Sequence, residues 1–116
     1  MSPPNKINDQ VAGPLELTVR RGSLYVSNEI YARYFQDLAA VILLRSADDL
    51  LVMPVMHAAA GGYLLKLKNA RGDRVVNAMD FFRAQGMDDF YEASFAVCWS
   101  REKAALVAPN LFKADN

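Results

Sequence analysis

The chain has 116 residues, of which 53% are hydrophobic and 22% are charged, a balance typical of one globular domain. Its 13 basic and 13 acidic residues cancel, so the sequence lacks the strong positive charge of many nucleic-acid-binding proteins. Cys98 is the single cysteine. An internal disulfide is therefore excluded, and a reducing compartment is favoured.

The N-terminal end of the chain is polar. Residues 1–13 contain Pro3 and Pro4 and no apolar segment of the kind that a signal peptide carries, so we expect a flexible N-terminal tail. Residues 111–116 are expected to form a C-terminal tail. The longest apolar stretch, Leu38–Leu44, is too short to span a bilayer. These features predict a cytoplasmic protein without a membrane partner.

Beyond the tail, the sequence repeats itself at an offset of fifty residues, which shifts after a five-residue insertion near residues 86–91. The matched segments, in chain order, are Leu15–Gly22 with Leu65–Gly72, Ser23–Ser27 with Asp73–Asn77, Tyr31–Arg33 with Phe81–Arg83, Val41–Leu44 with Ala96–Trp99, and Leu51–Pro54 with Leu106–Pro109. The order of these matches predicts an internal duplication. A single domain over residues 14–110 would then hold two repeats, 15–55 and 65–109, joined by a linker at 56–64.

Each repeat predicts a β-β-α-β-β unit. In the first, Leu15–Val19 alternates apolar and polar residues as a half-buried strand does, and Gly22 suits a turn before a second strand at Leu24–Val26. Ser27 is a good N-cap for a short helix over 28–36, because its hydroxyl can accept a hydrogen bond from a free backbone N–H.

The second repeat carries the same signals. Asn77 takes the place of the cap before a helix over 78–85, and Gly86 is a plausible stop after it. A hairpin follows each helix, and Pro54 and Pro109 are expected to end the last strands because proline cannot donate to a ladder. The fold class expected is therefore α+β, mainly β.

The segment Gly22-Ser23-Leu24-Tyr25-Val26-Ser27-Asn28-Glu29-Ile30 resembles the AbrB/MazE/MraZ group of swapped-hairpin transcription factors. In that group a Gly-Arg-hydrophobic-x-hydrophobic-Pro-x-Glu-hydrophobic segment precedes the helix. Here Ser23 stands in place of the arginine, and Ser27 and Asn77 stand in place of the proline. Two units in one chain look like the MraZ arrangement, which implies one pseudo-two-fold barrel over about residues 15–109.

The resemblance implies DNA binding by basic side chains near the turns. The candidates are Arg20, Arg21, Lys66, Lys68, Arg71 and Arg74. In the second repeat the lysines alternate with leucines, so they are expected to share the exposed face of a sheet. Cations on one edge of a sheet can hold several phosphates.

Catalytic and metal-binding patterns are weak. His57 is the single histidine and has no evident partner for a nucleophilic site, and one His with one Cys does not make a zinc site. Cys98 is expected to be a small buried hydrophobe in a strand. The acidic pairs at 48–49 and 88–89 are typical of solvated turns. We therefore expect no enzymatic activity, no cofactor and no metal.

Two functions remain open. The leading hypothesis is a small regulatory protein that binds DNA, as a homo-oligomer that multiplies weak contacts. The alternative is a non-enzymatic protein-interaction or assembly factor that has lost DNA binding, which the zero net charge and the missing arginine favour. Aromatic residues around Phe90-Tyr91 and Trp99 are candidates for a subunit interface.

Overall fold

The computed structural model describes residues 15–58 and 61–113, and its strands form two antiparallel sheets of five strands each. The predicted N-terminal tail and part of the predicted linker lie outside the described residues. The elements in chain order are β1 (Glu16–Arg20), β2 (Ser23–Val26), α1 (Asn28–Ile30), a π-helical turn (Tyr31–Phe35), β3 (Ala40–Ser46), β4 (Asp49–Val55), β5 (Tyr63–Leu64), β6 (Lys66–Leu67), β7 (Arg74–Asn77), α2 (Met79–Ala84), β8 (Glu92–Ala96), β9 (Cys98–Ser100) and β10 (Ala105–Ala108).

The first sheet, sheet A, has the strand order β6-β7-β2-β1-β8. Its side chains alternate between the core and solvent, as the sequence predicts for β1, where Leu17 and Val19 are fully buried. At the centre of the sheet β2 pairs with β7, and Tyr25 lies opposite Val75. Strands from both halves of the chain are therefore neighbours in this sheet.

The second sheet, sheet B, has the order β9-β10-β4-β3-β5. Here β4 pairs with β10, so that Leu51 lies opposite Val107 and Val52 opposite Leu106. All four residues of β10 are buried. Sheet B is thus the more apolar of the two sheets.

Two segments of chain pass from one sheet to the other. Residues 63–67 pair with β3 of sheet B and then, after Leu65, with β7 of sheet A. Residues 92–100 pair with β1 of sheet A and then, after Val97, with β10 of sheet B. Each edge strand of sheet A therefore continues directly into an edge strand of sheet B: β6 follows β5, and β9 follows β8.

The helical segments are short. The Ser27 hydroxyl accepts a hydrogen bond from the Ile30 N–H (3.2 Å), which confirms the predicted cap of α1. The predicted Asn77 cap of α2 is wrong. Ala78 occupies the N-cap position without a side-chain hydrogen bond, and the Asn77 side chain instead accepts one from the Ser23 hydroxyl (3.0 Å).

The core lies between the inner faces of the two sheets and is closed by aromatic side chains from the helical segments. Its largest fully buried members are Phe35, Phe82, Leu17, Leu24, Ile30, Leu50, Leu106, Val19, Val26, Val41, Val52 and Val76. No polar or charged side chain of the described residues is buried with them. The fold therefore rests on apolar burial and backbone pairing.

The structure confirms a mainly β protein with two short helices, and it differs from the sequence prediction in detail. Pro54 lies inside β4, opposite Val41, and the strand continues to Val55. β5 begins at Tyr63, within the predicted linker. Leu111 is 4% exposed and packs in the core, so ordered packing extends beyond residue 110. No helix in residues 15–58 and 61–113 is long and apolar enough to cross a membrane.

Candidate nucleic-acid interface

Four of the six candidate cations lie on one hairpin, β6-turn-β7, which we call the basic hairpin (residues 66–74). Its turn is built by Asn69, whose side-chain oxygen accepts hydrogen bonds from the backbone N–H of Arg71 (3.1 Å) and of Asp73 (3.2 Å). Gly72 has φ +95°, a conformation that favours glycine, and a Cβ there would lie 2.7 Å from the Asn28 side-chain oxygen. The turn therefore has one well-defined shape.

Asp73 fixes this turn to the start of α1. Its carboxylate accepts hydrogen bonds from the Asn69 side-chain amide (3.0 Å), the Asn28 backbone N–H (2.8 Å) and the Arg71 guanidinium (3.0 Å). These hydrogen bonds, with Asn69 contributing most, lower the pKa of Asp73 from 3.8 to about 2. The carboxylate is charged at neutral pH, and it partly balances the arginine beside it.

The outer side of sheet A carries the exposed side chains of the basic hairpin. Lys66 lies opposite Val75, which in turn lies opposite Tyr25, and the Lys68 ammonium is 5.5 Å from the centre of the Tyr25 ring. Lys66 and Lys68 thus share one face, as the alternation predicts. Among the described residues, neither lysine forms an ion pair. Both ammonium groups are therefore available to bind an anion.

The two arginines of the hairpin differ in availability. The Arg71 side chain is 79% exposed at the tip of the turn, although one of its nitrogens lies 3.0 Å from Asp73. Arg74 is folded back on the protein. Its guanidinium carbon lies 3.9 Å from the centre of the Tyr31 ring, and the guanidinium donates to the Gly72 carbonyl (2.6 Å). Arg74 therefore holds the turn against the helical segment, and Arg71 points outward.

Arg20 and Arg21 lie at the opposite end of the sheet. Arg74 pairs with Val26 of β2, and Arg20 pairs with Ser23 of the same strand. Val26 and Ser23 are three positions apart, which corresponds to about 10 Å along the strand. Arg20 is 3.7 Å from the Glu92 carboxylate, and Arg21 lies over the exposed Phe90 ring at 5.8 Å. The six candidate cations thus form two separate groups and not one cluster.

The rest of the outer side of sheet A is polar, and we call it the polar face. Its polar members are Glu16, Thr18, Arg20, Ser23, Tyr25, Lys66, Asn77, Glu92 and Ser94, and the apolar Val75 and Ala96 lie among them. Hydrogen bonds cross it, with the Thr18 and Ser94 hydroxyls 2.7 Å apart. A shallow pocket of about 190 Å³ beside the basic hairpin is lined by residues of both charges, among them Glu16, Lys68 and Asp73.

The residues considered for catalysis or metal binding do not converge. His57 is exposed in the segment after β4. Within residues 15–58 and 61–113, no group of three His, Cys, Asp or Glu side chains could hold a metal ion. The predicted burial of Cys98 is wrong: it lies exposed on the edge strand β9, where its side chain points away from the core.

Sequence reasoning missed two features of this region, and a third was only partly as expected. Asp73 was not among the candidate site residues, yet its carboxylate organises the turn together with Asn69. The spacing Asn-x-x-x-Asp was the signal for that role. It missed a groove of about 460 Å³ between the helical segment and the 63–67 corner, where Leu64 and Leu67 are 51% and 65% exposed. The predicted aromatic patch is divided: Phe90 is 76% exposed, whereas Trp99 stacks on Tyr34 at 5.1 Å.

Comparisons with protein-family models, with curated proteins and with solved structures gave no match for this chain. The assignment of function therefore depends on the geometry described above.

Proposed function

We propose that this protein binds DNA through the basic hairpin of a duplicated, barrel-like domain of the AbrB/MraZ kind. The duplication is supported by the strand pairing. Tyr25 and Val75, which the sequence repeat aligns, lie opposite each other, and so do the reciprocal pairs Leu51–Val107 and Val52–Leu106. Such reciprocal pairing is what two halves related by a two-fold axis produce.

The barrel is supported by the two segments that pass between the sheets. With residues 63–67 and 92–100 each counted as one bent strand, every strand has a neighbour on both sides. A barrel closed in this way would have no exposed sheet edges, which otherwise invite aggregation. We infer a strongly flattened barrel with corners at Leu65 and Val97.

The observation that carries DNA binding is the rigid turn that presents Lys66, Lys68 and Arg71 to solvent. A turn held by Asn69 and Asp73 loses little conformational entropy when it meets a ligand. Two unpaired lysines and an outward arginine on a polar sheet face suit the phosphate backbone, which contributes most of non-specific affinity. The proposal therefore concerns backbone contacts and not base recognition.

The test is a titration of a fluorescent DNA duplex by anisotropy at low and high salt. We expect binding that weakens steeply with salt. The double variant Lys66→Ala/Arg71→Ala should bind DNA about tenfold more weakly. The slope of the logarithm of its binding constant against the logarithm of the salt concentration should be smaller in magnitude by about two. The matched control is Arg101→Ala/Lys103→Ala, which removes the same two residue types from an exposed turn of sheet B and should change affinity less than twofold. Failure of the parent chain to bind at low salt would overturn the proposal.

A second function, binding of a protein segment, is favoured by the groove at the 63–67 corner. It is walled by Tyr31, Leu38 and Leu67, and its charged lining residues are Lys66, Arg74 and Asp37. The two cations outnumber the one carboxylate, so the groove suits an extended peptide that is mainly apolar with an acidic side chain. The variant Leu67→Asp should abolish retention of such a partner in a pull-down, and Leu44→Asp, on a different surface, should not. Equal retention by both variants would contradict this function.

A further inference from the structure

The loop between α2 and β8, which we call the aromatic loop (residues 85–91), presents an aromatic ring to solvent. Phe90 is 76% exposed, the largest exposed fraction of any large hydrophobic side chain in the described residues. The loop contains the five-residue insertion near residues 86–91, so the first repeat has no counterpart of it. Phe90 packs in neither apolar cluster of the described residues, so packing of the core does not account for its position.

The aromatic loop has a fixed shape. The Asp88 carboxylate accepts a hydrogen bond from the Phe90 N–H (2.7 Å), and the Asp88 carbonyl accepts one from the Tyr91 N–H (3.1 Å). The Arg83 guanidinium donates two hydrogen bonds to the Asp89 carboxylate (2.8 and 2.7 Å), which tie the loop to α2 and neutralise Asp89. A ring held on such a loop loses little conformational entropy when it meets a ligand.

Arg21 lies beside this ring as a cation without an acidic partner. Its backbone N–H donates to the Tyr91 carbonyl (3.1 Å), and its guanidinium carbon lies 5.8 Å from the centre of the Phe90 ring. Among the described residues, no ion pair includes Arg21, whereas the nearby Glu92 is paired with Arg20. The groups left free here are therefore one aromatic ring and one guanidinium, side by side.

We propose that Phe90 and Arg21 form a stacking site for an unpaired nucleobase, and that the protein binds single-stranded nucleic acid more tightly than duplex. A nucleotide offers the matching pair of groups, a flat base and a phosphate next to it. Aromatic side chains stack on bases of any sequence, and a neighbouring arginine adds an electrostatic contact. In a duplex the bases stack on one another, so the ring has no base to meet. This inference rests on the proposed function and names the form of nucleic acid that is bound.

The stacking site and the basic hairpin lie at opposite ends of sheet A. Arg20, next to the stacking site, and Arg74, in the hairpin, are separated by three positions of β2, or about 10 Å. A single strand along the polar face could therefore place phosphates at both groups of cations. A peptide with one apolar and one acidic side chain would also fit Phe90 and Arg21. The polar face beside them favours the nucleic acid, because hydroxyl and amide groups there suit a phosphate backbone.

The test compares three fluorescent probes by anisotropy at low salt. They are an oligothymidylate of about twelve nucleotides, a strand of the same length in which abasic sugars replace the bases, and a duplex of that length. We expect the parent chain to bind the oligothymidylate most tightly. Phe90→Ala should weaken this binding about tenfold and change the affinity for the other two probes by less than about twofold, whereas Phe90→Trp should retain it.

Two control variants separate stacking from other effects. Phe90→Leu keeps an apolar side chain without a ring, and should bind the oligothymidylate as weakly as Phe90→Ala. Met56→Ala removes another large apolar side chain, 67% exposed after β4 of sheet B, and should leave every affinity unchanged. If Phe90→Leu bound as tightly as the parent chain, the ring would be an apolar contact of the kind that suits a peptide, and the proposal would be overturned.

The three probes also separate this inference from the proposed function. A parent chain that binds duplex and oligothymidylate equally would overturn the stacking site and leave DNA binding by the basic hairpin intact. An equal loss for the oligothymidylate and the abasic strand in Phe90→Ala would have the same meaning, because only one of these probes carries bases. A parent chain that binds none of the three probes would overturn both.

Discussion

The outer faces of the two sheets are built from similar strands and have opposite chemistry. The polar face of sheet A is crossed by hydroxyl and amide hydrogen bonds, between Thr18 and Ser94 and between Ser23 and Asn77. The outer side of sheet B instead carries an apolar cluster that includes Leu51 and Val107, which are 7% and 9% exposed. The comparison teaches that the same antiparallel architecture can carry a polar side that suits water and polyanions and an apolar side whose residues pack on one another.

The largest expected effect comes from truncation of a side chain at the centre of each outer face. Leu51→Ala should lower the free energy of unfolding by about 2 kcal/mol, because a nearly buried leucine loses its contacts. Thr18→Ala should lower the free energy of unfolding by only about 0.5 kcal/mol, because the hydrogen bond that the Thr18 hydroxyl makes is exposed to solvent. Urea unfolding at low protein concentration measures both values. Equal losses would show that the two faces do not differ in the way proposed.

The next effect separates the two outer sides of the domain. Lys66→Ala/Arg71→Ala, on the side of sheet A, should weaken DNA binding about tenfold. Leu44→Gln, on the outer side of sheet B, should leave the DNA affinity within twofold of the parent chain, because Leu44 carries no charge. Anisotropy titrations at low salt measure both. If both variants weakened binding equally, DNA binding would not depend on the basic hairpin.

The third effect concerns the acid stability of the basic hairpin. The pKa of Asp73 is lowered to about 2, so its contribution to stability is fully present above the unfolded value of about 3.9. That contribution is lost as the pH falls through 2. The parent chain should therefore lose stability between about pH 4 and pH 2, and Asp73→Asn should lose less in that window. Circular dichroism during acid titration measures this, with Asp37→Asn, at an exposed turn, as the control.

The smallest effect is the coupling between two hydroxyls on the polar face. A double-mutant cycle of Thr18→Ala and Ser94→Ala should give an interaction of about 0.5 kcal/mol, since their 2.7 Å hydrogen bond is open to solvent. Thermal unfolding of the four proteins gives the value. A coupling of zero would mean that water replaces this hydrogen bond without loss, and that the polar face is a solvated surface and not an ordered one.

The sequence predicted the features that depend on residues close together along the chain. Alternation in Leu15–Val19 predicted the buried leucine and valine of β1, and Ser27 was correctly identified as a cap. Consecutive apolar residues in β3, β4 and β10 carry no such alternation, so they did not reveal that sheet B has an apolar outer side. The burial of a residue such as Cys98 in the edge strand β9 depends on which strand lies beside it.

The candidate interface shows the same limit. The positions of the basic residues along the chain suggested the hairpin, and the alternation of Lys66 and Lys68 predicted their common face. The pairing of Arg20 with Glu92, seventy-two residues away, could not be predicted from local sequence. Asn77 resembles a helix cap in sequence, yet it faces Ser23 across the sheet, and that contact determines its hydrogen bond.

The interleaving of strands has a consequence for how the molecule comes apart. Each sheet contains strands from residues 15–58 and from residues 61–113, and the Gly22 carbonyl and the Asp73 carboxylate each accept a hydrogen bond at the start of the other part's helix. A chain cleaved between the two parts would yield fragments in which every strand except β6 and β9 loses one of its neighbouring strands. Each fragment should be unstructured alone, and the mixture should regain the native circular dichroism spectrum. The two parts of this single polypeptide therefore depend on each other for folding, as the subunits of an obligate heterodimer do.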